Sequence, residues 1–424
     1  MHWKLCACSL AFVTTLLLGC AERSWRPDAD AALRELAAAL HRDAIVVDTH
    51  NDVSSFWIVD AGFDLAMDGD GRDDRTPWIH WILPWLPGAP EGAQIRTQID
   101  FARAQRGGLD AQFFSVWVSP DFYDPDQPQP GRAKQRAGAI IDSIDEQLRR
   151  HPDRMELARS SDDVRRIAAS GKLAALLGIE GGHAIEDDLQ TLRHFYQRGV
   201  RYMALTWSFT HNWADSAGAA GEPEAQRRHH GLSPFGETVV REMNDLGMLI
   251  DVSHASDETF WDALKVTRAP IIASHSAARA LVAQPRNLSD DMLRAIGANG
   301  GVVMINFMGM GLDPHRSTSG FMLDLLLHGG KPAVSVSDVV DHIEHVIGVA
   351  GVEHVGLGSD FDGSPRVFFP VGLRDVGDYP AITLELLGRG HSAEHVRMIL
   401  GENLLRALAA AESASTAEDP RPPR

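Results

Sequence analysis

Eight apolar runs recur along this 424-residue chain, and most are separated by segments with the spacing of an amphipathic helix. The runs are "AIVVDTH" (44–50), "DAQFFSVWV" (110–118), "KLAALLGIE" (172–180), "RYMALTW" (201–207), "GMLIDVSH" (247–254), "APIIASH" (269–275), "GVVMINF" (301–307) and "HVGLGSDF" (354–361). Between them fall "RAKQRAGAIIDSIDEQLRR", "DDLQTLRHFYQRG", "PFGETVVREMNDLG", "SDETFWDALKV" and "VSDVVDHIEHVIGVAG", several opened by a Ser or Asp cap. Near-continuous apolar strands alternating with helices require a parallel sheet covered on both faces. Eight such units predict a closed (β/α)8 barrel of the TIM type, and a chain that is 44% hydrophobic can fill one. The alternative is a doubly wound open sheet, but no glycine-rich phosphate fingerprint follows any strand, which counts against its dinucleotide-binding form.

The termini read differently from this alternation. Lys4, the apolar "LAFVTTLLLG" and the closing "LLGC" resemble a bacterial lipoprotein signal, too short to span a bilayer comfortably. In that reading residues 1–19 are removed and Cys20 carries a lipid, so the protein is exported and anchored to a bacterial membrane, facing the periplasm or cell exterior. An ordinary secretory signal is the alternative. Residues 20–31 read as a tether, 32–412 as a single (β/α)8 domain, and 413–424 as a disordered tail. The three cysteines are Cys6, Cys8 and Cys20, so the domain itself has no thiol. It can form no internal disulfide, and any metal must be held by His, Asp or Glu. A net charge of −18 leaves no broad basic surface for a nucleic acid.

In a barrel of this kind the active site lies at the C-terminal ends of the strands. Those ends read His50 and Asp52, Glu180, His254, His275 and Asp360. One strand-end histidine or carboxylate is unremarkable; six on one rim are not. Strand side chains alternate faces, so His50 and Asp52 project to one side, away from Asn51, and can chelate one ion. His254 and His275 can hold a second, and Glu180, with two oxygens, is the natural bridge. Imidazole and carboxylate ligands suit zinc best, with manganese or cobalt possible and calcium disfavoured. Two ions about 3.5–4 Å apart would share a water and lower its pKa, giving a bridging hydroxide that attacks an acyl carbon. That chemistry is hydrolysis.

The motifs "DTHND", "GIEGGH", "IDVSH", "ASHS", "RN" at 286–287 and "GSDFDG", in this order, resemble the membrane (renal) dipeptidase family of zinc metallopeptidases, amidohydrolase-like metal-dependent barrels. The resemblance runs from about residue 40 to 410 and takes in "FFSVWVSP", "WADS", "GLSPFGETVVREMNDLGMLIDVSH" and "ENLLRAL". It implies two zinc ions with the ligand division above, and a dipeptide substrate, with a D-amino acid allowed at its C-terminal position. It implies Asp360 as the acid/base that takes a proton from the attacking water and delivers it to the leaving amine. Arg286 matches the arginine that holds the substrate carboxylate, and a homodimer is expected on the same ground. Asp362 and His183 match positions read as structural.

One position departs from the family. A histidine that assists substrate binding stands six residues before the tryptophan of "WAD" in well-known members; here that residue is Trp207, which can donate one N–H but cannot carry a proton. His211, four residues on, is the candidate to fill the role. Two further readings compete with a dipeptidase: an amidohydrolase acting on N-acyl amino acids or lactams, and a non-catalytic binding lipoprotein. The "DGDGRDD" stretch (68–74) has calcium-loop composition without the twelfth-position Glu and reads as a surface loop. The tryptophan-rich "TPWIHWILPWLPG" (76–88) reads as a lid, an interfacial anchor, part of a subunit interface, or a loop packing its own indoles, and its His80 is not counted as a ligand.

Overall fold

The computed structural model describes residues 31–67, 97–123, 131–218, 227–313, 334–364 and 366–416. The leader with Cys20, the 68–74 loop, the tryptophan-rich segment with His80, and residues 417–424 lie outside the described residues. All eight anticipated strands form: β1 Val47–Asn51, β2 Ala111–Trp117, β4 Leu173–Glu180, β5 Val200–Ala204, β6 Leu249–Asp251, β7 Ile271–Ser276, β8 Val302–Ile305 and β9 Val355–Leu357. Every pairing is parallel, in the order β1-β2-β4-β5-β6-β7-β8-β9. The ring is nearly closed where Asp52 N donates to Phe361 O at 2.9 Å and Asp360 N to His50 O at 3.1 Å. This is a (β/α)8 barrel. A further strand not anticipated from the sequence, β3 (Met155–Leu157), pairs with the start of β4 outside the ring; its three residues are too few to carry a periodic signal.

Helices at Arg132–Arg150, Leu189–Arg198, Pro234–Leu246, Asp257–Val266 and Val336–Ala350 occupy the segments expected to be helical. Their starts are chemically fixed. The Ser233 and Ser256 hydroxyls accept from Gly236 N and Thr259 N, and Ser335 with Asp338 forms a reciprocal capping box. The barrel interior is a distinct apolar cluster that includes Val47, Phe113, Leu176, Tyr202, Ile272 and Met304, joined by Leu404 and Leu408 of the C-terminal helix Asn403–Ser413. The outward strand residues, such as Val46, Phe114, Leu177, Ile250 and Val303, pack against the helices in a second cluster. Past that last helix, Thr416 N donates to Asp245 O at 3.1 Å. No helix among the described residues is long and apolar enough to cross a membrane.

Two register shifts shape the mouth of the barrel. Between Asp48 and Asn51, three steps of β1 oppose two of β2, and between Ala273 and Ser276 three steps of β7 oppose two of β8. Each is a bulge of one extra residue, which re-aims the side chains beyond it. Val47 and Ile272 face the interior, so strict alternation would turn His50 and His275 outward; the extra residues turn both toward the barrel mouth.

Candidate metal centre and substrate cavity

The residues expected from the strand ends meet at that mouth, all of them buried. His50 Nε2 lies 3.4 Å from Asp52 Oδ2, 3.4 Å from Glu180 Oε2 and 4.0 Å from Asp360 Oδ1. On the other side of Glu180, its Oε1 lies 2.9 Å from His254 Nε2 and 3.5 Å from His275 Nε2. The carboxylate of Glu180 therefore turns one oxygen to His50 and the other to the His254–His275 pair, in the position of a bridge. Backbone conformation is part of the construction, since His254 and Asp360 both adopt left-handed φ, 67° and 64°, which non-glycine residues seldom do.

The ring nitrogens facing away from this centre are all engaged. Tyr202 Oη donates to Thr49 O and stands 3.0 Å from His50 Nδ1, so it accepts the Nδ1 proton and leaves the Nε2 lone pair directed inward. Ser274 Oγ donates to Asp251 Oδ2 at 2.5 Å and accepts from His275 Nδ1 at 2.8 Å, with the same result. Ser208 Oγ lies 3.1 Å from His254 Nδ1. The consequence is crowding of bare acceptors: His254 Nε2 and His275 Nε2 are 2.9 Å apart, and His50 Nε2 and Asp52 Oδ1 are buried with no hydrogen-bond partner. Lone pairs facing lone pairs at that distance repel one another unless a cation lies among them. These residues therefore fit divalent metal: His50, Glu180 and His275 form one ligand-competent grouping, and His50, Asp52 and Asp360 another.

Charge tells the same story. Burial opposes a proton on His50, yet its surroundings, the Glu180 and Asp52 carboxylates among them, outweigh it and hold its pKa well above the ordinary value, a measure of how strongly the centre attracts positive charge. Burial and the nearby Arg286 push His254 down to about 3, and burial with His50 lowers His275, so both rings are neutral and can offer a lone pair. Asp360 is raised to about 7 by burial, opposed by His50 and reinforced by Asp52 and Glu180, while Asn306 Nδ2 donates to its Oδ2 at 2.8 Å.

A cavity of about 380 Å³ opens over the centre, within the range of small-molecule sites. Asp52, Glu180, His254, His275 and Asp360 line it, as do Arg286 and Trp207. Among the described residues, no hydrogen bond or ion pair occupies the Arg286 guanidinium. His211 is not brought to the cavity. It is fully buried, its Nε2–H donates to Leu205 O at 2.9 Å, its ring packs 4.6 Å from Trp213, and burial holds its pKa down to about 3. A neutral imidazole tied to the carbonyl just past β5, inside the wall, does not face the cavity, so the structure corrects the expectation for His211. His183 donates to Val118 O, and Asp362 accepts from Gln98 N, both away from the cavity lining. Sequence reasoning missed Tyr202, Ser274, Asp251 and Asn306. Only Asn306 had a signal, its place at the end of "GVVMINF".

The sequence model of the membrane dipeptidase family, peptidase family M19, matches residues 34–421. The chain belongs to the membrane dipeptidase family. It is 36% identical over 366 residues to dipeptidase tcpJ of Claviceps purpurea, covering 84% of this chain and 79% of that one. It is 37% identical over 383 residues to dipeptidase 3 of Rattus norvegicus, covering 89% and 67%. Among solved structures it is similar to the probable dipeptidase PvdM from Pseudomonas aeruginosa, with TM-score 0.73 at 25% identity over 91% of this chain and all of that one. It is also similar to a metallopeptidase from Rhodobacter sphaeroides, with TM-score 0.68 at 27% identity over 87% of this chain and all of that one. As a member of this family the chain is a zinc-dependent metallopeptidase, with its candidate ligands gathered at the C-terminal mouth of the barrel.

Proposed function

We propose that the mouth holds two zinc ions, His50 and Asp52 on one, His254 and His275 on the other and Glu180 between them, and that the enzyme hydrolyses the one peptide bond of a dipeptide. The observation that carries this reading is the paired geometry around Glu180, one oxygen toward His50 and the other toward His254 and His275. Bound there, the ions supply Lewis acidity toward the scissile carbonyl and make a water acidic enough to attack at neutral pH. Arg286 offers a two-pronged guanidinium to the terminal carboxylate and so sets the bond over the centre. Asp360 takes the proton released by the attacking water and returns it to the leaving nitrogen as the C–N bond breaks. Trp207 lines the substrate side of the cavity and takes no proton.

A D-residue at the C-terminal position belongs to this reading; support comes from the Rhodobacter relative, which was solved with a phosphinate mimic of the dipeptide L-Ala-D-Ala. Export and a lipid on Cys20 belong to it as well, on the strength of the "LLGC" leader, and a homodimer on the strength of the motif set. The deciding experiment is metal analysis of the purified protein beside a panel of L,L- and L,D-dipeptides and N-acyl amino acids. Two zinc ions per chain and preference for free dipeptides are expected. Fewer than one tightly bound ion refutes the two-metal centre, and faster turnover of N-acyl amino acids moves the enzyme to the amidohydrolase reading. Cys20→Ala is expected to release the protein from membranes, and light scattering is expected to give twice the chain mass.

A further inference from the structure

The cavity has two chemically different sides. In the ring of eight strands, β2 and β7 stand diametrically opposite each other. Arg286, Gln284 and Asn287 follow β7, whereas Trp117 ends β2, Phe56 follows β1 and Trp207 follows β5. The three rings form one wall: Phe56 and Trp117 have centroids 5.1 Å apart, and Trp117 meets Trp207 edge-on at 5.1 Å. Trp207 is held in place from behind. Its carbonyl accepts from Ser216 Oγ, and the next residue, Ser208, bonds the ring of His254. Apart from the metal-centre carboxylates, that side offers the Ser208 hydroxyl and the indole N–H groups of Trp117 and Trp207, the Trp117 Nε1 being buried without a partner among the described residues.

We infer that Trp207 is the specificity-determining residue of this enzyme, selecting dipeptides whose N-terminal residue carries a large apolar or aromatic side chain. The inference rests on the proposed dipeptidase activity, in which Arg286 takes the C-terminal carboxylate. With that end anchored beyond β7 and the scissile bond over Glu180, the N-terminal residue must extend across the mouth toward the aromatic wall. There a large apolar side chain covers indole surface and sheds water, while glycine leaves that surface wet. Trp207 borders the centre, its ring 6.1 Å from that of His254, and so stands where it meets the side chain of the residue whose carbonyl is attacked.

The test compares phenylalanyl-alanine with glycyl-alanine, which share the end held by Arg286. In the wild type, kcat/KM for the first is expected to exceed the second by at least about tenfold, the scale on which apolar pockets discriminate. Trp207→Ala is expected to bring the ratio to within about twofold of one, mainly by loss on the phenylalanyl substrate, and Trp207→Phe to restore most of it. Zinc content and melting temperature check that each variant is folded. A wild-type ratio near one overturns the inference without any variant, and so does an unchanged ratio in Trp207→Ala. Equal cleavage of both substrates leaves the dipeptidase reading standing, whereas cleavage of neither removes both.

Discussion

Replacing Tyr202 with Phe isolates the outer support of the metal centre from the centre itself. The Tyr202 ring crosses the barrel interior over Gly178, where a Cβ would sit 2.0 Å from the ring's Cζ, so the ring has a fitted place that phenylalanine can keep. Only the oxygen is lost, and with it two bonds: the His50 Nδ1–H donor loses its acceptor, and Thr49 O loses its donor. Burial keeps this phenol protonated, so no charge is removed. A buried N–H left unpaired costs about 1–3 kcal/mol. Losing the group that orients a ligating histidine typically weakens metal binding by about 10- to 100-fold, which is about 1.4–2.8 kcal/mol. The two figures are separate quantities: the first is stability lost by the metal-free fold, and the second is affinity lost because His50 is no longer held in one tautomer for the metal. Chelator competition for zinc and urea unfolding of the metal-free protein measure them separately. At saturating zinc, kcat should stay within a few-fold of wild type, since every ligand remains. Zinc affinity within twofold of wild type, together with unchanged apoprotein stability, would refute the assignment of Tyr202 as the residue that fixes the His50 tautomer.

Asp360→Asn is expected to lower kcat by at least about a hundredfold, the usual scale of a lost acid/base group, with zinc content unchanged; residual activity above a tenth of wild type would remove Asp360 from its role. Asn306→Ala deletes a bond that favours the charged form of Asp360, so the acid limb of the pH–kcat profile should move to higher pH, and a shift to lower pH would contradict the argument. His342 supplies the pH dependence of stability: burial pushes it down to about 4, and its Nδ1 accepts from Ala278 N at 3.0 Å. Its folded pKa is depressed, so its contribution is present above about 6.5 and is lost as pH falls toward 4, about 3 kcal/mol across that window. His342→Gln should flatten the fall in urea-unfolding free energy between pH 7 and 4.5, and a fall as steep as in the wild type counts against it.

The barrel and the inner ring of candidate ligands were legible because each depends on a local pattern. A buried parallel strand must be apolar along its length, so a histidine or carboxylate at its end stands out, as Glu180 does after "LAALLGI". The supporting residues lack that contrast. Tyr202 sits in mid-strand as one more large residue of the interior, and its polar atom matters only because β1 passes over it. Asp251 and Ser274 are on different strands, and nothing in "GMLIDVSH" or "APIIASH" records that β6 and β7 are neighbours in a register that brings the two side chains to 2.5 Å. Asp48 lies inside "AIVVDTH", one of the runs read as strand, yet its buried carboxylate accepts from Ser359 N and Ser359 Oγ and pins β1 to the chain after β9. His211 failed for the converse reason: nearness in sequence to Trp207 placed it in the same turn, while its ring turned toward Trp213 instead of the cavity.

Alternation carried the sequence reading to the right pair, His50 and Asp52, by a route the backbone does not take. With Val47 facing inward, an unbroken β1 would point Thr49 in and His50 out toward the helices. Thr49 does point in, where its hydroxyl reaches Ser274 O at 2.6 Å and Leu357 O at 3.0 Å, and His50, the very next residue, points in as well. Two adjacent residues can share a face only if the strand carries an extra residue, and the register shift between Asp48 and Asn51 is that residue. The same device in β7 lets His275 reach Glu180 although Ala273 packs outward and Ser274 is the residue bonded to Asp251. A strand in this barrel has to serve two layers, a sealed apolar interior and a polar mouth. A regular pleat through the interior would aim these histidines at the helices, so the change of layer falls on the bulges, and the histidines stand where the change is made.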